Sequence, residues 1–469
     1  MTTDLCALSA TELVEAYRTG TLSPLEVARA VRRRIDELNP VLNAFSLVSD
    51  RLEEEAKASE ARWRRGEARG LLDGVPVTVK DILLTKGWPT LRGSKTVDAK
   101  GPWNDDAPVV ARLREHGALL LGKTTTPEFG WKGVTDSPLT GITRNPWNTD
   151  KTPGGSSGGA AAALAAGMGP LGLGTDGGGS IRIPCSFTGT FGLKPTFGRV
   201  PAWPLSPFGT VAHVGPMARS VADAALLLNV LALPDARDWH ALPYDARDYR
   251  TGLDHGVRGL RIAYSSDLGY ASVDPEVAAI AKAAAKTFED LGAKVEEKHP
   301  GFENPDALFR THWFAGAAFL LRGIPAEKKA WIDPGLLEVG ALGEKVTAAE
   351  LLEAQMKRGA LGAHMSLFHR DFDLLVTPTL AIPAFDVGEE YPGKKAGKRW
   401  TDWTPFSYPF NLTQQPAASV PCGTTKAGLP VGLHVVGPKY ADALVLRACR
   451  AFEAARPFAS PDLGKCKPS

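Results

Sequence analysis

Cysteine is scarce in this sequence and scattered along it. The chain of 469 residues has five cysteines, and none of them stands in C-x-x-C spacing. An odd and dispersed set argues against a disulfide framework and against a structural zinc site. We therefore expect reduced thiols, most of them buried, at Cys6, Cys185, Cys422, Cys449 and Cys466.

A large excess of charge and a long apolar run are also missing. Lys and Arg number 54 and Asp and Glu number 52, which leaves a net charge of +2. Such a balance provides no strong positive field for nucleic acid or for an anionic membrane. No stretch of about 18 uninterrupted apolar residues occurs, and the start of the chain lacks the basic and then apolar pattern of a secretory leader. The sequence predicts a cytoplasmic protein that binds neither nucleic acid nor a membrane.

Histidines are few and dispersed. Nine occur, without an H-E-x-x-H motif, and His364 and His369 are the single pair near ligand spacing. The sequence therefore predicts no metal ion and no other cofactor. His213, close to a glycine-rich stretch, is expected to be a packed or hydrogen-bonded residue rather than a catalytic base.

The patterns that are present predict an α/β protein. Two capping boxes, Ser9 to Glu12 and Ser23 to Glu26, begin a helical flank that extends to about residue 65. Beyond Gly70, short apolar runs bounded by glycine alternate with helical periodicity. No linker or repeat marks a boundary. We expect one domain over residues 1–469, with a helix-rich candidate subdomain at about 270–370.

Two glycine motifs resemble nucleotide-binding loops. Residues 117–124 match the P-loop pattern letter for letter, and residues 167–172 and 172–177 both match G-x-G-x-x-G. The context is wrong for both motifs. A P-loop follows a strand, whereas Ala118 to Leu121 read as the strand itself, and no acidic residue for a ribose follows the second motif at about 20 residues. Nucleotide binding is kept only as a minor alternative.

Glycine and serine concentrate in two other segments that suit amide hydrolysis. Residues 154–159 read GGSSGG, residues 174–184 read GTDGGGSIRIP, and Lys80 ends the apolar run that begins at Val75. Hydrolysis of an amide needs a nucleophile, a route for its proton and donors for the oxyanion. Ser180 can attack, Ser156 can relay the proton, and a desolvated Lys80 can accept it as a neutral base. The amides beside Ser180 carry no side chain that blocks the oxyanion.

The run from Gly154 to Pro184 resembles the signature of the amidase signature family. In that family a lysine, a serine preceded by a cis peptide bond and a second serine replace the histidine-based triad. The resemblance implies a single large mixed β-sheet flanked by helices, with Lys80 as base, Ser156 as cis-serine and Ser180 as nucleophile. It also implies oxyanion-hole amides at Gly177, Gly178, Gly179 and Ser180, and supporting roles for Ser157, Asp176 and Arg182. For Asp176 and Arg182 we expect a structural ion pair, with substrate contact as the lesser option.

The predicted activity is hydrolysis of a small or moderately apolar carboxamide. Aromatic side chains that could line the acyl pocket, or equally pack in the core, are Phe129, Trp131, Trp203, Phe208, Trp403 and Phe406. The alternative is the glutaminase-type subunit of a tRNA-dependent amidotransferase, in which Arg358 would hold a substrate carboxylate. The expected partner is a small amide, and the sequence leaves open whether the protein is a homodimer.

Overall fold

The computed structural model describes residues 4–466, except for the side chain of Lys465. The strands within that range are β1 (Phe45–Val48), β2 (Pro76–Lys80), β3 (Leu119–Thr124), β4 (Asp136–Ser137), β5 (Gly141–Ile142), β6 (Leu171–Asp176), β7 (Phe191–Lys194), β8 (His213–Ala218), β9 (Arg261–Tyr264), β10 (Lys294–Glu297), β11 (Leu374–Pro378), β12 (Ala417–Thr424) and β13 (Pro430–Val436). The α-helices are α1 (Ala10–Thr19), α2 (Pro24–Leu42), α3 (Leu52–Arg64), α4 (Pro108–Glu115), α5 (Gly158–Ala165), α6 (Arg182–Thr188), α7 (Val221–Leu231), α8 (Pro275–Asp290), α9 (Asp306–Arg322), α10 (Pro334–Gly343), α11 (Ala348–Phe368), α12 (Pro409–Leu412) and α13 (Asp442–Ala455).

Eleven of these strands form one mixed sheet in the order β1-β3-β2-β6-β8-β7-β12-β13-β11-β9-β10. Strand β2 is parallel to both β3 and β6, whereas β6 and β8 are antiparallel. Strands β4 and β5 form a separate antiparallel pair. The large mixed sheet flanked by helices confirms the predicted fold class. The parallel trio β3-β2-β6 matters most for function, because its carboxyl ends lie side by side and ligand sites in α/β sheets form there.

The N-terminal flank contains both predicted helix starts. Ser9 and Ser23 each accept the backbone N–H three residues on, while Glu12 and Glu26 accept the backbone N–H of the serines. The flank is nevertheless not wholly helical, because β1 pairs with β3 between α2 and α3. This strand is only four residues long. Its sequence carries too short a pattern to be recognised, and pairing with the sheet edge decides its conformation.

The P-loop-like segment is a strand, as its apolar middle indicated. Lys123 lies inside β3, and its Nζ donates to Leu83 O, Thr85 Oγ1 and Thr90 Oγ1 (2.9 Å for the last). The amine is thus fully used by the chain itself. A phosphate-binding role for residues 117–124 has no support in this geometry.

Packing accounts for the remaining features of the fold. The largest apolar cluster covers the sheet and its flanking helices, and all five cysteines are free thiols buried in the protein, as expected. A second cluster is rich in aromatic rings and includes residues of α9 and α10. Among residues 4–466, no helix combines the length and apolarity needed to cross a membrane.

Candidate active site

Lys80 is the last residue of β2 and is completely buried. Its Nζ lies 2.7 Å from Ser156 Oγ, 2.9 Å from Ser157 Oγ and 2.8 Å from Thr175 Oγ1. Three hydroxyl groups therefore surround the amine, and they come from two segments, the loop before α5 and strand β6. The sequence predicted the two serines, but it did not single out Thr175 on the neighbouring strand β6.

Burial lowers the pKa of Lys80 well below its ordinary value, and the negative charge of Asp176 opposes the shift only in part. No carboxylate in the described residues lies within ion-pair distance of Lys80. Asp81, the adjacent acid in sequence, is instead 3.7 Å from Lys123 Nζ. A desolvated amine without an acidic partner favours its neutral form, which is the form that accepts a proton.

The two serines of the GGSSGG segment are held against the loop that carries Ser180. The peptide bond between Gly155 and Ser156 is cis, as the family resemblance implied. Ser157 donates its backbone N–H to Ser180 O (3.1 Å), and its Oγ donates to Thr175 O (3.2 Å). Ser156 and Ser180 both line the same cavity. The structure thus brings Lys80, Ser156 and Ser180 into one site.

Asp176 organises the loop that carries Ser180. It ends β6, and its carboxylate accepts the backbone N–H of Gly179 (2.8 Å) and of Ile181 (3.2 Å). Arg182 donates to the same carboxylate through Nε (3.0 Å) and Nη2 (2.9 Å), and Asn411 Nδ2 donates to it at 2.8 Å. Burial alone would raise the pKa of Asp176, but Arg182 and Asn411 hold it well below its ordinary value. The expected ion pair is present, and neither charged side chain lines the cavity.

One of the four predicted oxyanion donors is occupied. The N–H of Gly179 donates to Asp176, so it is not free to meet an oxyanion, contrary to the expectation from the motif. The N–H groups of Gly177, Gly178 and Ser180 have no hydrogen-bond partner among residues 4–466. These three amides are the available donors of the loop.

The absence of a side chain at Gly177 allows the indole of Trp313 to pack against the backbone of the loop. A Cβ at Gly177 would lie 2.8 Å from Trp313 Cζ3, so no side chain fits while Trp313 keeps its place. Trp313 stacks on Phe208 at 3.9 Å between ring centroids, and its Nε1 donates to Trp131 O (3.0 Å). The sequence analysis missed Trp313, whose signal is only a tryptophan on helix α9, distant in sequence from the loop.

The buried ion pair yields a stability prediction. Asp176→Asn is expected to reduce the free energy of unfolding by about 3–5 kcal/mol, because the fully buried Arg182 loses its counter-charge. Denaturant unfolding monitored by circular dichroism measures the loss. The matched control is Asp36→Asn, which breaks an exposed ion pair with Arg32 on helix α2 and is expected to cost less than about 1 kcal/mol. Equal losses in the two variants would contradict the structural role of Asp176.

The cavity beside Ser180 has a volume of about 920 Å³ and an aromatic wall. Three of the aromatic residues named from the sequence line it: Phe129, Trp203 and Phe208. Trp313 contributes a further ring. A cavity with an apolar wall and a few polar groups at one end is typical of a small-molecule site.

The other three aromatic residues named from the sequence belong to the core instead. Trp131, Trp403 and Phe406 are 1%, 2% and 0% exposed, and none of them lines the cavity. Trp403 stacks on Phe187 at 5.7 Å, and the Nε1 of Trp403 donates to Glu390 O. Trp131 and Trp403 pack in the aromatic cluster, and Phe406 packs in a separate core cluster with Phe410. The packing interpretation therefore holds for all three.

Two further residues considered from the sequence have structural partners. Arg358 donates to Leu412 O (2.7 Å) and to Thr210 Oγ1 (2.7 Å), and it does not line the cavity. Its guanidinium is therefore committed to the chain's own oxygens. His213 Nδ1 lies 2.7 Å from Val211 O, and burial lowers the pKa of this imidazole well below its ordinary value. It is a packed, neutral histidine at the cavity wall, as expected.

Comparison with known proteins agrees with this geometry. Residues 26–446 match the family model described as Amidase. An acylamidase of Rhodococcus erythropolis is 40% identical over 460 residues, covering 96% of each chain. A glutamyl-tRNA(Gln) amidotransferase subunit of Myxococcus xanthus is 37% identical, covering 97% of this chain and 98% of its own.

Solved structures give the same result. A bacterial aryl acylamidase of the amidase signature family superimposes with a TM-score of 0.89 at 35% identity, covering 96% of both chains. A 6-aminohexanoate cyclic dimer hydrolase superimposes with a TM-score of 0.89 at 30% identity, covering 98% of this chain and 100% of the other. The chain therefore belongs to the amidase signature family and is an amide-hydrolysing enzyme of that family.

Proposed function

We propose that this enzyme is an acylamidase that hydrolyses non-peptide carboxamides through a seryl acyl-enzyme on Ser180. The observation that carries the mechanism is the 2.7 Å separation of the buried Lys80 Nζ and Ser156 Oγ. A neutral lysine beside one serine, with a second serine on the same cavity, provides a base, a relay and a nucleophile without histidine.

In the first half of the reaction, Ser180 Oγ attacks the carbonyl carbon of the amide. The hydroxyl proton of Ser180 passes to Ser156, whose own proton passes to Lys80 Nζ. The negative charge that forms on the carbonyl oxygen is stabilised by the free N–H groups of Gly177, Gly178 and Ser180. When the C–N bond breaks, the proton returns along the same route to the leaving nitrogen, and an amine or ammonia departs.

In the second half, water takes the place of the leaving group. Lys80, neutral again, accepts a proton from this water through Ser156, and the resulting hydroxide attacks the acyl carbon. Collapse of the second tetrahedral intermediate breaks the bond to Ser180 Oγ and returns the proton to that oxygen. The products are a carboxylic acid and the regenerated enzyme, so no metal ion or redox cofactor is needed for the balance.

The aromatic wall supports an apolar or aryl substrate. Phe129, Phe208 and Trp313 line the cavity, and the similarity to an acylamidase and to an aryl acylamidase structure points to the same substrate class.

The five free, buried thiols support the further proposal that the enzyme works in the reducing environment of the cytoplasm.

A second candidate function is the glutaminase-type subunit of a tRNA-dependent amidotransferase. Its support is the 37% identity to such a protein in Myxococcus xanthus. Against it stands Arg358, whose guanidinium donates to Leu412 O and Thr210 and is thus not free to hold the carboxylate of glutamine. We therefore favour the acylamidase.

One assay separates the two functions. The purified chain alone is incubated with 4-nitroacetanilide, benzamide and glutamine, and release of 4-nitroaniline or ammonia is measured. An acylamidase is expected to hydrolyse at least one of the aryl amides faster than glutamine. Turnover of glutamine alone would overturn the proposal in favour of the amidotransferase.

Trp313 provides a test of the cavity. Trp313→Ala is expected to reduce kcat/KM for an aryl amide by about tenfold or more. The substrate loses an aromatic ring of the cavity wall, and Gly177 loses the indole that packs against its backbone. Steady-state kinetics on the best aryl amide measures the change. The matched control is Trp331→Ala, which removes a half-exposed tryptophan outside the cavity. Similar kinetics in the two variants would exclude Trp313 from the binding wall.

A further inference from the structure

Arg92 occupies an unusual backbone conformation at the wall of the cavity. It lines the cavity, is partly buried, and has a φ of 56°, and the next residue, Gly93, has a φ of 65°. Left-handed φ values are uncommon for residues other than glycine and recur at functional sites, where surrounding contacts maintain the strain. What holds this turn, and what its side chain does, are therefore informative.

Asp81, the residue after the catalytic lysine, holds the turn. Its Oδ1 accepts the backbone N–H of Leu91 (3.2 Å). Burial raises the pKa of Asp81 to about 6, although Lys123 and the N–H groups of Gly93, Leu91 and Arg92 counteract the shift. The strand that ends in Lys80 thus also fixes the conformation of residues 91–93.

The turn is tied to the serines on its other side. Arg92 O accepts the N–H of Phe129 (2.7 Å), and a Cβ at Gly93 would lie 2.5 Å from Thr126 O. A Cβ at Gly130, the residue after Phe129, would lie 3.3 Å from Ser156 Oγ. Arg92 therefore stands on a rigid part of the wall, on the side of the cavity where Ser156 lies.

The guanidinium of Arg92 has no partner of its own. Within residues 4–466 it makes no hydrogen bond, no ion pair and no stacking contact with an aromatic ring. Burial lowers its pKa, and only the negative charge of Asp81, with which it forms no ion pair, opposes the shift. A partly desolvated cation with unused donors is costly. Arg237 is paired with Asp235, and Arg322, which also lines the cavity, is exposed to solvent. Among these arginines, Arg92 is the one that is both partly buried and unpaired.

We propose that Arg92 binds a carboxylate of the substrate, so that the preferred amides carry a carboxylate group remote from the bond that is cleaved. The planar guanidinium matches a carboxylate with two parallel hydrogen bonds. The aromatic rings beside it accept the body of an aryl or alkyl amide. This inference rests on the proposed acylamidase function and specifies its substrate class.

The kinetic test compares anionic amides with neutral amides of the same shape. The probes are 3- and 4-acetamidobenzoate and succinanilate. Each is paired with the neutral methyl ketone in which a methyl group replaces one oxygen of the carboxylate. The wild type is expected to have at least one pair in which kcat/KM for the carboxylate is tenfold higher or more. Arg92→Met is expected to bring that ratio close to one, mainly through KM, and Arg92→Lys is expected to be intermediate.

A charge control accompanies these variants. Arg33→Met removes the same charge from an exposed position on helix α2, outside the cavity, and we expect the ratio to change less than twofold. Circular dichroism and thermal unfolding establish that each variant is folded. The absence of any carboxylate preference in the wild type, or a ratio retained in Arg92→Met, would overturn the assignment of Arg92.

A binding measurement separates this proposal from the proposed function. In the Ser180→Ala background, calorimetric titration with 4-acetamidobenzoate and succinanilate is expected to give a Kd that rises tenfold or more when Arg92→Met is added. If no amide is hydrolysed but this difference is found, the acylamidase assignment fails and the carboxylate site stands. If amides are hydrolysed but the difference is absent, the carboxylate site alone fails.

Discussion

Ser180→Ala is expected to reduce kcat by roughly 10³-fold or more, with the fold intact. Removal of Oγ leaves no atom to form the acyl-enzyme, whereas the loop remains held by Asp176 through the N–H groups of Gly179 and Ile181. Burst and steady-state kinetics on the best amide measure the loss, and intact-protein mass spectrometry detects the acyl-enzyme in the wild type only.

A buried serine on the next helix serves as the control for Ser180. Ser186→Ala removes a hydroxyl that accepts the N–H of Gly432 (3.0 Å) and lies outside the cavity. It is expected to cost some stability and only a few-fold in rate. If Ser180→Ala retained more than a few per cent of the wild-type kcat, Ser180 would not be the nucleophile.

Lys80→Arg is expected to be almost inactive from pH 6 to 10. Arginine keeps the positive charge but cannot lose its proton in a protein, so it cannot accept the proton from Ser156. In the wild type, kcat/KM is expected to rise with pH through the lowered pKa of Lys80, because the active form is the deprotonated amine. The pH profile therefore has an acid limb that belongs to Lys80.

Two companion variants make this prediction decisive. Lys80→Met is neutral and similar in length, so a folded and inactive Lys80→Met protein shows that loss of the base, rather than the bulk of arginine, stops the reaction. Lys123→Met tests another buried lysine, whose pKa burial lowers to about 8. The acid limb is expected to persist in Lys123→Met. Substantial activity of Lys80→Arg, or loss of the limb in Lys123→Met, would refute Lys80 as the base.

Local sequence patterns were sufficient for much of the fold. The capping boxes at Ser9 and Ser23 predicted helix starts correctly because capping depends on residues within one turn. The P-loop-like segment was correctly assigned to a strand because its middle residues are continuously apolar. Strand β1 was missed, since pairing with β3 rather than its own four residues determines it.

The sequence by itself determined the α/β class and the resemblance to the amidase signature family, because these depend on local patterns and residue order. The same resemblance predicted that Lys80, Ser156 and Ser180 act together. Only the tertiary structure decided which polar groups remain free. In the folded chain the N–H of Gly179 and the guanidinium of Arg358 have hydrogen-bond partners, whereas the guanidinium of Arg92 has none. Trp313 packs against the backbone of Gly177. Trp403 packs in the core and does not line the cavity. Whether a polar group is paired depends on contacts with segments that are distant in the sequence. Residue spacing along the chain therefore does not predict it.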